Sequence, residues 1–471
     1  MDLIKKTRKK FIFISFFVLF NFISQNICLL EFPIKIINPL NIPKYKDIQF
    51  ETAISPNITN INSVINTSLD GKIKKFSESG DLIFIETFLL IIQIELGTSN
   101  QTFNLILDTG SAITWVPLIQ SVDMYEIPHH YNPSISTSSK KLKEDFVITY
   151  GSGSCWGSYY KDKMKYINNK EFDLVFGAAE ATDFGVKNAD GIIGLSKIYD
   201  DQSKSFIHML CRSGVTTSKL FSFKLGLNIT KENRGKFYIG KHEDFNKDNV
   251  VTCEMKNSNY FERNFWACEM TSLSVLNLNK TVKLTSKKKV SVIFDSGTNA
   301  IFLPFFYIEQ MKDSLQNMNC FTKKDSGIGN TARYQLVCKG EALNFHLVIG
   351  GHTFIIPWEY SFYNIGGYAF SRIFFQQSIE DINDVYIIGS PFFMLFHILF
   401  DSYSKELHFF PEKDEFLIKG SWWSTNHIIY VLIFGILIIS FIALIILLIL
   451  WKKKNKLIPD MKESFDIKTY L

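Results

Sequence analysis

FDSGTNAIFLP, residues 294–304, carries the reading, because the chain writes nearly the same words earlier as LDTGSAITWVP, residues 107–117. Each copy is an Asp, a small hydroxyl residue, a Gly and a second hydroxyl residue. Each is entered from an apolar run, Leu105-Ile106 in one case and Val292-Ile293 in the other. Either loop alone reads better as an ordinary Asx-type turn. Two copies with matched flanks point instead to one duplicated unit. The likeness continues downstream, where Ile192-Ile193-Gly194 in ADGIIGL answers Ile387-Ile388-Gly389 in VYIIGSPFF.

The surroundings of both loops are strand-like. LLIIQIELG, TFNLILDTG, DFVITYGSGS, EFDLVFG, KLFSFKLG, GKFYIG, HILFD and ELHFF are short β-rich runs closed by turn residues. Helical patterns are few, SKSFIHMLCRSG and FFYIEQMKDSLQNM being the clearest. The fold class expected is all-β, built of two similar halves.

The chemistry follows from pairing the loops. A carboxylate beside Gly can approach another closely, because Gly presents no side-chain obstacle. If a pseudo-two-fold axis brings Asp108 and Asp295 together, the two share one proton. One then acts as base toward a water while the other donates to a carbonyl oxygen, which is peptide hydrolysis without a covalent intermediate. Thr109 and Ser296 are placed to hold the loops in register, and Ser111 and Thr298 to donate to the carboxylates.

These motifs resemble those of the pepsin-like aspartic proteases, over about residues 85–412. LDTGSAITWVP is similar to the first active-site motif of that family. FDSGTNAIFLP is similar to the second, in the Ser-containing form of the beta-secretase group. ITYGSGS, residues 148–154, resembles the flap hairpin, and YNPSISTS, residues 131–138, the loop before it. The resemblance implies two β-barrel-like lobes with a cleft between them, and Asp108 and Asp295 as a catalytic dyad. It implies substrate contacts from Gly110, Gly297, Gly151 and Ser152, and a flap Tyr150 that closes over a polypeptide substrate and reaches toward Trp115. Ile192 and Ile106 would line the pocket before the scissile bond. It also implies a Cys320–Cys338 disulfide. Small disulfide loops often found near the two motifs are missing, and SPFF, residues 390–393, replaces a more usual Asp-containing stretch. The partners of Cys155, Cys211, Cys253 and Cys268 stay open, with Cys253 and Cys268 able to face each other across a hairpin.

The chain ends address it to a membrane system. MDLIKKTRKK followed by FIFISFFVLFNFI reads as a secretory signal, residues 1–28, with an uncleaved anchor as the alternative. Residues 29–85 read as a pro-segment or stalk; Lys72, Lys74 and Lys75 there read as a solvated cluster, with the family resemblance implying the alternative that one of them pairs with the dyad. The catalytic domain is expected over 86–412, with lobes divided near residue 260, then a linker, 413–427. Ile428 to Leu450 carries no charge and is long enough to span a bilayer. Trp422, Trp423 and Trp451 flank it, and Lys452, Lys453, Lys454 and Lys456 place the tail, 451–471, in the cytosol. That gives a single-pass type I protein whose domain faces the secretory or endocytic lumen or the exterior, an architecture like that of plasmepsins or beta-secretases. Sequons at Asn57, Asn66, Asn100, Asn228 and Asn279 all lie on that side.

Of seven Cys, Cys28 abuts the signal and six remain, an even number suited to an oxidising compartment. A net charge of +5 over 471 residues leaves no basic footprint for nucleic acid. No CxxC or HExxH occurs, so neither a metal nor an organic cofactor is expected. A monomer is expected. His129-His130 reads as a solvated pair and Lys287-Lys288-Lys289 as an exposed turn. The other class considered is a pepsin-fold peptide-binding protein without catalysis.

Overall fold

A computed structural model describes residues 30–36, 89–123, 127–150, 153–166, 170–183, 189–197, 204–216, 219–225, 227, 235–255, 264–277, 280–326, 332–340, 343–376, 385–420 and 425–462. The signal segment, Cys28, the lysines at 72–75, the flap tip Gly151-Ser152 and the last residues of the tail lie outside that set.

The first half runs β1 Leu30–Ile36, β2 Leu90–Leu96, β3 Gln101–Asp108, β4 Trp115–Asp123, β5 Lys140–Tyr150, β6 Gly153–Tyr166, β7 Lys170–Thr182, β8 Gly191–Gly194, helix α1 Phe206–Arg212, β9 Leu220–Lys224 and β10 Gly235–Ile239. The second runs β11 Val251–Glu254, β12 Ala267–Asn277, β13 Lys280–Phe294, β14 Ile301–Pro304, helix α2 Phe306–Asn317, β15 Cys320–Ser326, β16 Ala332–Lys339, β17 Asn344–Ile349, β18 His352–Ile356, β19 Phe362–Ile365, β20 Tyr368–Gln376, β21 Val385–Ile388, β22 Phe396–Asp401 and β23 Glu406–Pro411. The fold is the all-β, bilobal one.

The duplication is visible strand by strand. The first lobe orders its strands β3-β8-β4-β7-β6-β5 and the second β13-β21-β14-β20-β16-β15. Parallel pairs match parallel pairs, β3 with β8 as β13 with β21, and β4 with β7 as β14 with β20. A third sheet joins the halves in the order β11-β23-β22-β9-β10-β1. Each half gives it one leading strand and one hairpin, and β9 meets β22 at the middle.

Strands such as β17 and β23 alternate half-buried and buried residues, the signature of a sheet packed on one face. The run ending in Asp108 is buried on both faces, since Leu105 and Leu107 pack into the core while Ile106 lines the opposite side. Over the middle of the joining sheet, Phe221 stacks on Phe400 at 4.7 Å and Trp266 meets Phe400 edge-on at 5.1 Å. Such pairs contribute about 0.5–1.5 kcal/mol each beyond area burial, so much of the Phe enrichment is core.

Leu30–Ile36, within the segment read as pro-segment or stalk, forms a sheet strand between β10 and β2. Two sequence expectations change. Cys253 and Cys268 are bonded, but not across a hairpin: β11 pairs β23 while β12 pairs β13 and β17, so the bridge ties two sheets together. Lys287-Lys288-Lys289 is no turn. It lies inside β13, where the register with β12 jumps between Thr285 and Val290, and a bulge absorbs the extra residues. Cys320 and Cys338 are register partners in the β15–β16 hairpin and are bonded to each other.

Thr425–Lys462 forms a separate helix, α3. Its stretch Gly435–Lys453 is long and apolar enough to cross a membrane, and it is exposed along its length.

Candidate active site

Asp108 closes β3 and Asp295 follows β13, so both carboxylates sit at strand ends where the chain turns back. The loops are tied to each other symmetrically. The Thr109 amide donates to Ser296 Oγ at 3.0 Å, and the Ser296 amide donates to Thr109 Oγ1 at 2.9 Å. Each hydroxyl then donates to a carbonyl of the other half, Thr109 to Phe294 and Ser296 to Leu107, both at 2.7 Å. Both side chains are fully buried. Every donor in this cross-over is satisfied only while the halves keep one relative placement.

Each carboxylate also has its own cradle. The Gly110 amide donates to Asp108 Oδ1 and the Gly297 amide to Asp295 Oδ1, each at 2.9 Å. Ser111 Oγ donates to Asp108 Oδ2, and Thr298 Oγ1 to Asp295 Oδ2 at 2.6 Å. The glycines are required by the opposing loop: a Cβ on Gly110 would lie 2.6 Å from Asp295 Cγ, and one on Gly297 2.5 Å from Asp108 Oδ1. Burial, followed by the neighbouring Asp295 charge, holds the Asp108 carboxyl well above the ordinary carboxylate range. Ser111 and the Gly110 amide pull the other way and lose.

On the first-lobe side, Trp115 Nε1 donates to the Tyr150 hydroxyl at 2.8 Å. Trp115, Ile106 and Ile192 belong to one buried cluster, against which Tyr150 and Ile148 pack. Burial and then the Asp108 carboxylate keep the Tyr150 phenol protonated, its pKa raised above the usual value. Gly151 and Ser152 are outside the described residues.

Sequence reading missed several supports. Ser390 donates through both its amide and its hydroxyl to the Thr298 carbonyl, at 2.8 and 3.0 Å. The SPFF stretch thus backs the second loop from a buried helical turn. The corresponding bond in the first lobe runs from the Ser196 amide to the Ser111 carbonyl, 2.8 Å. The loop pair His129-His130 is partly solvated, His129 exposed and His130 half-buried, but each ring also has an acidic partner. Tyr131 exchanges backbone bonds with Pro117 and Ile119, which draws this loop along β4. His129 then meets the buried Asp190 carboxylate at 3.0 Å, and His130 meets Asp123 at 2.6 Å.

His242, Asp244 and His397 place three ligand-type atoms close together under the joining sheet. The Asp244 carboxylate is already held by the Lys224 and Lys247 ammonium groups, at 2.7 and 2.6 Å. Two cations on the one carboxylate make this a satisfied polar network, ill suited to a metal ion.

Paired Asp loops interlocked at the meeting of two duplicated β lobes define a class, the bilobal proteins built around a carboxylate dyad. The model of the eukaryotic aspartyl protease family matches residues 90–411, and the chain belongs to that family. It is similar to vacuolar protease A of Arthroderma otae, 26% identical over 342 residues, covering 69% of this chain and 79% of that protein. It is 27% identical over 337 residues to vacuolar protease A of Aspergillus fumigatus, covering 68% and 78%. Cathepsin D of Gallus gallus is 27% identical over 238 residues, covering 47% and 56%.

Proposed function

We propose that the chain is an aspartic endopeptidase in which Asp108 and Asp295 together activate a water that attacks the peptide carbonyl. The observation that carries this is the interlocked pair of loops, with burial and the neighbouring Asp295 charge raising the pKa of the Asp108 carboxyl. A protonated carboxyl beside an ionised one supplies a hydrogen-bond donor for the carbonyl oxygen and a base for the water at once. In the tetrahedral intermediate the proton taken from water resides on the former base, and the other carboxyl has donated toward the oxyanion. Collapse moves a proton to the leaving amine and restores the shared-proton state.

The remaining residues position these groups. Gly110 and Gly297 give the substrate backbone access to the dyad, with Thr298 at the edge. Tyr150, held by Trp115, closes the first-lobe side with Gly151 and Ser152. Ile106 and Ile192 form the apolar wall beside it. An extended polypeptide binds as an added strand.

The helix Thr425–Lys462 supports single-pass anchoring, with Lys452 and Lys453 on the cytosolic side and the lobes, whose second half carries both disulfides, in an oxidising lumen or outside.

The test is cleavage of a diverse peptide library by the full-length protein in detergent micelles, from pH 3 to 8. Asp108→Asn and a statine-type transition-state mimic serve as controls. Cleavage lost in the variant and blocked by the mimic is the expected result. Peptide binding by folded protein without cleavage would instead establish a binding protein.

A further inference from the structure

We propose that Asp183 is a positioning residue, whose carboxylate latches the β5–β6 ribbon at Ser154 and so fixes where Tyr150 stands over the cleft. This rests on the cleft being the peptide-cleaving site.

The need for a latch follows from strand pairing. β5 is the last strand of its sheet, and β6 is the strand it pairs with. β7 lies along the other side of β6, but its ladder reaches only as far as the Cys155–Thr182 pair. Thr149 with Ser154, and Tyr150 with Gly153, extend beyond that pair as a ribbon of two strands. Such a ribbon is marginal by itself in water. It keeps one placement only if something outside the ladder holds it.

The two faces of the ribbon are held differently. Alternate residues of a strand share a face. Phe146, Ile148 and Tyr150 join Cys155 on the inner side, against the buried cluster of Trp115. Val147 and its register partner Trp156 are exposed on the outer side, the side to which Thr149 and Ser154 also belong. Apolar contact on the inner face is non-directional and sets no angle for the ribbon. Direction comes from the outer face, at Ser154. The Ser154 amide and hydroxyl both donate to Asp183 Oδ1, the hydroxyl at 3.1 Å. The Ser154 carbonyl accepts from the Asp183 amide at 3.1 Å and from Thr182 Oγ1 at 3.2 Å. Two consecutive residues where β7 ends thus gather the amide, hydroxyl and carbonyl of one ribbon residue.

The Asp183 side chain is exposed, and the Ser154 amide pulls its carboxyl below the ordinary range. It is therefore an ionised acceptor at mildly acidic pH, and bonds to a charged acceptor are the stronger kind. The latch acts through its neighbours. Ser154 adjoins Gly153, and Gly153 is the register partner of Tyr150. The Tyr150 hydroxyl is then the one that Trp115 Nε1 meets at 2.8 Å.

A loosened ribbon has to be ordered each time substrate binds. That cost falls equally on the bound complex and the transition state, so KM rises while kcat holds. A variant that merely folded less well would lose kcat through its inactive fraction and keep its KM.

The experiment is steady-state kinetics on the full-length protein in detergent micelles at pH 5.5, with one library-derived peptide. Asp183→Ala should raise KM about five- to ten-fold and leave kcat within about two-fold. Asn keeps an Oδ1 acceptor, so Asp183→Asn should return KM to within about two- to three-fold of the unaltered value. An unchanged KM in Asp183→Ala, or a fall in kcat at constant KM, overturns the proposal. If Asp183→Ala does not fold, Ser154→Ala decides. It removes the hydroxyl bond alone and should raise KM about two-fold, and an unchanged KM there overturns the proposal as well. Amide hydrogen exchange in the Asp108→Asn background reads the latch without cleavage. Adding Asp183→Ala should speed exchange at Ser154 about ten-fold while the amides of residues 172–179 in β7 keep their rates. Faster exchange at Ser154 without cleavage by the unaltered protein leaves the latch standing and removes the protease. Cleavage with a KM indifferent to residue 183 does the reverse.

Discussion

Replacing His397 by Gln should flatten the acid limb of the stability curve. The His397 ring is fully buried under the joining sheet, with Nδ1 3.1 Å from Asp244 Oδ2 and Nε2 2.9 Å from Ser222 Oγ. His242, Lys224, Lys247 and Glu412 complete its charged surroundings. Burial pushes the imidazolium down to about 4, against the attraction of Asp244, and the His242 and Lys224 charges add to the depression. The unfolded chain titrates near the ordinary value of about 6.5, so between these pH values it binds a proton that the folded protein refuses. Stability from neutral His397 is therefore whole above pH ~6.5, declines as pH falls, and is spent near pH 4. At 1.36 kcal/mol per unit the total is about 3 kcal/mol. Urea denaturation of the Asp108→Asn protein, chosen to remove cleavage by the proposed dyad, would be compared with the same protein carrying His397→Gln from pH 7.5 to 4. The stability gap between them should shrink by about 3 kcal/mol on acidification. A gap constant within about 1 kcal/mol would refute the reasoning.

Gly297→Ala should lower kcat/KM by about 100-fold, since the new methyl group would displace the Asp108 carboxylate from its partner; steady-state kinetics with a library-derived peptide measures it. Thr109→Ala should cost about 1–3 kcal/mol in denaturant unfolding, because the buried Ser296 amide loses its acceptor and the Phe294 carbonyl its donor. Ser111→Ala removes a hydrogen bond that lowers the Asp108 pKa, so it should move the alkaline limb of the pH–rate profile to higher pH. A limb that stays put or moves down would contradict that assignment.

The Asp108 and Asp295 loops are legible in the sequence because their geometry is local. The amide and hydroxyl that hold each Asp come from the next three residues, so D-T-G-S and D-S-G-T already contain both cradles. The cross-over of Thr109 and Ser296 follows once a two-fold relation is assumed. What escapes is whatever depends on register between distant strands. Asp183 looks like any loop residue until β6 is laid beside β7. Ser390 reads as loss of a usual Asp, although its bonds to the Thr298 carbonyl give it a supporting place. Leu30–Ile36 was hidden by its polar surroundings, yet LEFPIKI alternates in the manner of a strand.

The meeting of β9 and β22 has a consequence for synthesis in time. Ser222 and His397 touch across that junction but are separated by 175 residues in the chain. At about 5–20 residues per second, the first half waits roughly 10–35 s for the strand that completes its sheet. Through that interval Phe221 and Phe223 lack the Phe400 ring that later covers them, and β9 offers an open edge to any extended chain nearby. The newborn protein is most prone to aggregate in that window.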